Sequence, residues 1–144
     1  MSLARRRRAQ KVLDARERAV DLAEGELASC ARRALDAERA AQAARKTYEA
    51  RLEWRNPGEC SSNDLAGESG YIRTLDRRAA LLSDAAREAK ALEDAARLKV
   101  CIAKMEHRKV ETWLERLVEA LSAEELRLER LQADEVAARL SRKT

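Results

Sequence analysis

The sequence predicts an all-α protein in which two long helices form an antiparallel coiled-coil hairpin, the second helix being the longer. The composition is the first observation, because 39% charged residues, 3% aromatic residues and no phenylalanine are typical of long helices and not of a globular core. The second is a single break, since three of the four glycines and the only proline lie between Asn56 and Gly70. The third is a heptad pattern of apolar residues on both sides of that break.

Helix one is predicted over about residues 3–55. Alternate steps of four and three from Ala9 reach a small or apolar residue at every position except Arg16. These seam positions are Leu13, Arg16, Val20, Ala23, Leu27, Cys30, Ala34, Ala37, Ala41, Ala44 and Tyr48. Four successive alanines, from Ala34 to Ala44, allow the backbone of a partner helix to approach closely.

A loop is predicted over residues 56–70 and helix two over about residues 71–141, with the whole chain, 1–144, forming one domain. The seam of helix two starts at Ile72 and continues in one phase to Ala138. Its polar members are Glu93, His107, Glu124 and Glu135. A connection of about 15 residues between two helices that each bury one stripe favours an antiparallel pair.

The unequal helix lengths predict an overhang. With about 50 residues in helix one, about 70 in helix two and about 1.5 Å per residue, helix two extends on the order of 30 Å beyond its partner. Beyond about Ala123 the apolar residues have no helix-one residues opposite them. They are Leu126, Leu128, Leu131, Val136 and Leu140. A specific partner, self-association and simple fraying all remain open for this stripe.

Charge and motifs exclude several classes of function. Thirty basic and 26 acidic residues, thoroughly interspersed, give a net charge of +4 and no nucleic-acid signature. Three cysteines without short spacing indicate neither a disulfide framework nor a metal cluster, and fit a reducing cytoplasm. No apolar stretch approaches the roughly 20 residues of a membrane helix, so neither membrane insertion nor Sec export is expected. Without a phosphate-binding loop or paired carboxylates, we expect no catalytic residue, no cofactor and no bound metal.

A run of four arginines stands at the start of helix one: Arg5, Arg6, Arg7 and Arg8. The helix dipole disfavours positive charge there by up to about 1 kcal/mol each. A solvated face, an acidic protein surface and a nucleic-acid backbone are the alternatives, and no aromatic stacking platform supports the last of these.

Aromatic residues gather where the hairpin turns. Tyr48 and Trp54 end helix one and Tyr71 opens helix two, which indicates either a binding patch or a lock on the turn. His107, alone on the seam, is interpreted as a polar core residue that sets the register.

Three segments resemble the flagellar export protein FliJ and its injectisome counterparts of the YscO type. They are Tyr-Glu-Ala-Arg-Leu-Glu-Trp-Arg-Asn at 48–56, Tyr-Ile-Arg-Thr-Leu-Asp-Arg-Arg at 71–78 and His-Arg-Lys-Val-Glu-Thr-Trp-Leu-Glu-Arg-Leu at 107–117. The resemblance also covers helix order and loop position. It implies a non-catalytic, largely monomeric cytoplasmic stalk at the base of a membrane-embedded type III secretion system, flagellar or injectisome.

The same resemblance implies partners. The terminal end of the hairpin, with Arg5 to Arg8 and the overhang residues Leu126, Leu128, Leu131, Val136 and Leu140, would enter the pore of a hexameric export ATPase. A patch near the loop would contact the membrane protein of the export gate, and export chaperones are further partners. The matching patch positions are Tyr48, Trp54, Tyr71 and Leu75. A coiled-coil scaffold, a chaperone-like interaction protein and a basic nucleic-acid-binding helix are the rival hypotheses.

Overall fold

The structure, a computed structural model, describes residues 2–53 and 62–143, and all of them but the last belong to two helices. Helix α1 spans Ser2–Glu53, 52 residues, and helix α2 spans Ser62–Arg142, 81 residues. No strand occurs in these two ranges. The predicted fold class, two long helices with the second one longer, is confirmed.

The predicted start of helix two is wrong. Helix α2 begins at Ser62 and not near residue 71, so the predicted loop over residues 56–70 is too long. Gly67 and Gly70 lie inside the helix, and neither has a positive φ. A glycine inside a helix lowers the stability of the helix by only about 1 kcal/mol relative to alanine. The negative charge of Asp64, in the first turn, interacts favourably with the positive end of the helix dipole and offsets part of this loss.

Two compact units divide the chain, and each helix contributes to both. One unit consists of Met1–Leu22 with Cys101–Thr144, and the other is Ala23–Val100. We call them the terminal unit and the middle unit. The interpretation of the chain as one domain, 1–144, stays a prediction.

The helices run antiparallel within each unit. In the terminal unit, Leu3 shares a groove with Leu121, whereas Glu17 lies 3.6 Å from His107. In the middle unit, Arg51 pairs with Glu68, whereas α1 residues 38–45 share a groove with α2 residues 79–90. A later residue of α1 therefore always meets an earlier residue of α2, as the hairpin prediction requires.

The core of the middle unit consists mostly of alanine. Its buried residues are Ala34, Leu75, Ala79, Ala86, Ala96 and Val100. The predicted seam alanines Ala37, Ala41 and Ala44 are half-buried beside them. Small side chains allow the helix backbones to lie close together. Each of them removes little apolar surface from water, and this burial contributes only about 25 cal/mol per Å². The stability of the unit is therefore the sum of many small contributions along the seam.

The terminal unit has larger seam residues and ends in a single helix. Ala9 is buried at 1% exposure, Arg16 is exposed, and the last half-buried residue of α2 is Leu121. Residues 122–143 are all exposed. The first turns of α1 still line grooves with Glu125 and Leu128, so α2 extends alone from about residue 129, for about 20 Å at about 1.5 Å per residue. An overhang is therefore present, and it is shorter than the predicted one.

Candidate functional site

The C-terminal end of α2 carries five large exposed apolar side chains, which we call the tip surface. Their exposed fractions are 52% for Leu126, 48% for Leu128, 54% for Leu131, 54% for Val136 and 63% for Leu140. Scattered exposed leucines are ordinary, but five exposed large apolar residues within 15 residues at the end of one helix are a concentration that favours contact with a partner. All five were predicted as interaction residues, and all five are accessible to a partner.

The tip surface is not confined to one face of α2. Leu128 and Leu131 continue the coiled-coil seam. Leu140 is nine residues after Leu131, which at about 100° per residue places the two on opposite sides of the helix. Leu126 lies two heptads before Leu140 and so shares its side. A single partner helix packed on one face would therefore leave half of the tip surface in water.

The predicted arginine run lies at the base of the overhang. Arg5 and Arg8 line a groove with Leu121, Glu124, Glu125 and Leu128. The first turn of α1 contains no acidic residue, so these two glutamates of α2 are the nearby carboxylates that offset the unfavourable interaction of the arginines with the helix dipole. The four arginines are exposed, and none forms an ion pair within 4.0 Å in the described part of the chain.

The charges at this end of the terminal unit are predominantly positive. Residues 122–143 contain five acidic and five basic side chains and are neutral in sum. The four arginines Arg5 to Arg8 therefore make this end of the unit positive in sum, and we call them the arginine collar at the base of the tip surface. Such a collar attracts an acidic protein surface, with a strength that falls as salt is added.

The aromatic residues of the predicted gate patch lie in the middle unit. Tyr71 is 49% exposed, and the guanidinium carbon of Arg51 lies 5.3 Å from the centre of its ring. Tyr48 is half-buried, with the guanidinium of Arg45 at 5.7 Å. Leu75 is only 8% exposed, so its side chain belongs to the core and not to the accessible surface of the patch. Trp54 lies outside the described residues.

An ion pair that the sequence reasoning missed holds the two helices together beside Tyr71. Arg51 Nε lies 2.5 Å from Glu68 Oε1, and Arg51 Nη2 donates a hydrogen bond to Glu68 Oε2 at 2.6 Å. Both side chains are about one-third exposed, at 30% and 31%. Glu68 was assigned to the loop, so a helical pairing with Arg51 could not be anticipated. Asp64 and the preceding Ser62 and Asn63 were the available signal for an earlier helix start.

His107 occupies its predicted seam position between two carboxylates. Its Nε2 lies 3.6 Å from Glu17 Oε1, and its Nδ1 lies 3.7 Å from Glu111 Oε2. Both distances are too long for hydrogen bonds, and the Nε2 atom is buried without a hydrogen-bond partner. His107 is therefore a half-buried polar residue of the seam, and its role in setting the register stays a prediction.

Neither a metal cluster nor a membrane-spanning helix is found in the described residues. No group of three or more histidine, cysteine or acidic side chains there could hold a metal ion. Cys30 is half-buried, Cys101 is exposed, and both are free thiols. Neither α1 nor α2, over its described length, is apolar enough to cross a bilayer.

These features define a helical-hairpin protein with exposed apolar and charged surfaces. A family model described as Flagellar FliJ protein matches residues 5–144, and the chain belongs to this family. The family is a non-catalytic component of the flagellar export apparatus, so the protein is associated with that machinery. Searches of curated proteins and of solved structures gave no match to the chain.

Proposed function

We propose that the protein is the central stalk of the flagellar export apparatus. In this role the tip surface enters the ring of the hexameric export ATPase and promotes ring assembly and ATP hydrolysis, while the patch around Tyr71 contacts the export gate. The stalk works in the cytoplasm at the base of the membrane-embedded apparatus. The proposal rests on membership of the family and on the surfaces described above.

The observation that carries the proposal is the placement of leucines on opposite sides of one unpaired helix. Leu131 and Leu140 cannot both be covered by one flat surface, because they lie about 180° apart around the helix axis. A ring that surrounds the helix covers both at once. Burial of the tip surface inside such a pore removes apolar area from water in every direction and stabilises the complex by about 25 cal/mol per Å².

The arginine collar supports the same placement. Arg5 and Arg8 lie in one groove with Leu128, so they would reach the mouth of the ring when the tip surface is inside it. A ring entrance that carries acidic residues complements them, since opposite charges across an interface speed association and fix its orientation. Exposed charges of this kind contribute more to the association rate than to the affinity.

The second contact of the stalk is assigned to Tyr48, Tyr71 and Trp54. Tyr71 is half exposed and held by Arg51, so it presents a rigid aromatic face at little entropic cost. Leu75 takes part only through packing in the core, since its side chain is buried. Export chaperones are further partners in this proposal.

The test is ATP hydrolysis by the cognate export ATPase, titrated with the full chain, with a chain truncated after Ala123, and with a Leu131→Glu, Leu140→Glu double variant. We expect stimulation and ring formation with the full chain and loss of both with the other two. The matched control is Leu92→Glu, a residue of the middle unit that is 62% exposed. Stimulation by the truncated chain equal to that of the full chain would disprove the proposed role of the tip surface.

A further inference from the structure

A second apolar surface lies on the terminal unit, away from the coiled-coil seam. Met105 is 59% exposed, Ile102 is 59% exposed and Trp113 is 50% exposed. The half-buried seam of this part of α2 consists of Ala103, His107, Val110 and Leu114. The three exposed residues therefore face outward from the hairpin. Trp113 is one of the two tryptophans of the chain and Met105 one of its two methionines, and both are exposed to solvent here.

The surface around these residues is positively charged. Met105 and Trp113 flank a shallow depression whose other lining residues are Arg108, Lys109, Thr112 and Arg116. The lining has three cations and no carboxylate. Arg108 and Arg116 form no ion pair within the described residues. Lys109 has only an exposed contact with Glu106 on its own helix, at 3.4 Å, which in water contributes almost nothing.

Ile102, Met105, Trp113 and the cations around them form what we call the outer patch, and it is separate from the tip surface. Trp113 precedes Leu126 by 13 residues, or about 20 Å along α2. In that interval α2 is paired with α1, because Val118 and Leu121 share a groove with Leu3. A partner bound to the outer patch would therefore contact the two-helix part of the unit, and entry of the overhang into a ring does not use this patch.

We propose that the outer patch binds an acidic amphipathic helix of a partner protein, which packs on the hairpin as a third helix. From Ile102 to Trp113 the apolar residues extend about 16 Å, the length of about three helical turns. A partner helix with apolar residues at i, i+3 or i+4, i+7 and i+11 covers this length, and its flanking carboxylates pair with Arg108 and Arg116. Methionine and tryptophan adapt their shape to such a partner and bury large areas.

Charge decides between this occupant and the alternatives. A basic helix would place like charges beside Arg108 and Arg116, which disfavours binding, and a neutral helix would leave both arginines without a counter-charge. Nucleic acid would pair with the arginines, but a single tryptophan provides only one stacking position. The acidic residues Glu106 and Glu115 lie on the same helix and would repel phosphates. The acidic helix is the occupant that satisfies both the apolar and the charged residues of the outer patch.

The test measures the fluorescence anisotropy of a labelled synthetic 21-residue peptide with leucines on one helical face and glutamates beside them, titrated with the full chain. A matched peptide with lysines in place of the glutamates and a labelled single-stranded oligonucleotide are titrated in parallel. We expect the acidic peptide to bind at least about tenfold more tightly than the lysine peptide and the oligonucleotide.

Variants assign the binding to the outer patch. Trp113→Ala, Met105→Gln and the double variant Arg108→Glu, Arg116→Glu are each expected to weaken acidic-peptide binding by about tenfold or more. Leu92→Ala and the double variant Arg32→Glu, Arg39→Glu alter exposed residues of the middle unit and should leave it unchanged. Equal binding by all variants, or equal binding of the lysine peptide, overturns the proposal. Tighter binding of the oligonucleotide that depends on Trp113 overturns it in favour of a nucleic-acid surface.

Discussion

Arg51 and Glu68 form an ion pair in which Nη2 donates a hydrogen bond to Oε2 at 2.6 Å, while Nε lies 2.5 Å from Oε1 outside hydrogen-bond geometry. A hydrogen bond between two charged groups is stronger than one between neutral groups. The pair joins the last turn of α1 to a part of α2 that contains Gly67 and Gly70. It therefore holds in helical form a segment whose glycines favour disorder, and it positions Tyr71, on whose ring Arg51 packs.

Replacement of Glu68 by glutamine should loosen the first turns of α2. Because the pair is about two-thirds buried, we expect a loss of about 0.5–1.5 kcal/mol in the free energy of unfolding. Urea denaturation gives the free energy, and amide hydrogen exchange over residues 64–70 should become faster. The control is Glu49→Gln, since the Arg45–Glu49 pair is more than half exposed and should contribute only about 0.5 kcal/mol or less. Equal losses from the two variants would contradict a special role for Arg51 and Glu68.

Gly67→Ala and Gly70→Ala should each stabilise the protein. Both glycines are helical, neither has a positive φ, and a methyl group added at either meets nothing within 4 Å. Alanine then restricts the unfolded chain without a clash, which raises the free energy of unfolding by about 0.4–1 kcal/mol. Gly25→Ala, in α1, has equally open surroundings and is the matched comparison. A loss of stability at residues 67 and 70 but not at residue 25 would mean that this segment is a turn in solution.

Heptad periodicity predicted the fold because a coiled coil repeats one local rule over its whole length. The seam from Ala9 to Tyr48 and from Ile72 to Leu121 is buried or half-buried nearly as predicted, and Arg16 is exposed as the exception. The start of α2 was missed because Gly67 and Gly70 are typical of loops. Their unfavourable effect on helix stability is offset by the pairing of Arg51 with Glu68, which the sequence does not show. Leu75 was expected both on the seam and in the gate patch, and the structure places it in the core. Sequence spacing shows which residues share a face but not which of them a neighbouring helix covers.

His107→Leu should raise stability. The Nε2 atom of His107 is buried without a hydrogen-bond partner, and leucine at a seam position buries more apolar surface without that cost. We expect a gain of about 1 kcal/mol in urea denaturation. The substitution should also make alternative registers of the coiled coil more accessible, because a polar seam residue disfavours them. Val110→Leu, at the next seam position, is the control and should change stability by less. A loss on His107→Leu would show that the contacts with Glu17 and Glu111 outweigh desolvation.

Reversal of the arginine collar should weaken attachment to the export ATPase. In the variant Arg5→Glu, Arg8→Glu, two new carboxylates join Glu124 and Glu125 in one groove and remove the attraction to an acidic ring entrance. We expect slower association, by about tenfold at low salt, and a weaker dependence of the rate on salt. Surface plasmon resonance with immobilised ATPase at several salt concentrations measures both. The control is Arg32→Glu, Arg39→Glu in the middle unit, and an equal effect from this control would show that only net charge matters.

The oligomeric state separates a stalk from a coiled-coil scaffold. A scaffold would pair the tip surfaces of two copies, which predicts dimers that disappear on truncation after Ala123. The stalk proposal predicts monomers, because a second copy packed on Leu128 and Leu131 leaves Leu140, on the opposite side, in water. Sedimentation equilibrium of the full chain and the truncated chain should therefore give monomer masses at concentrations up to about 10 μM, where a weak interface of a few hundred Å² is not populated. Dimers of the full chain alone at that concentration would favour the scaffold, and Leu140→Glu against Leu131→Glu would then show which side of the helix forms the interface.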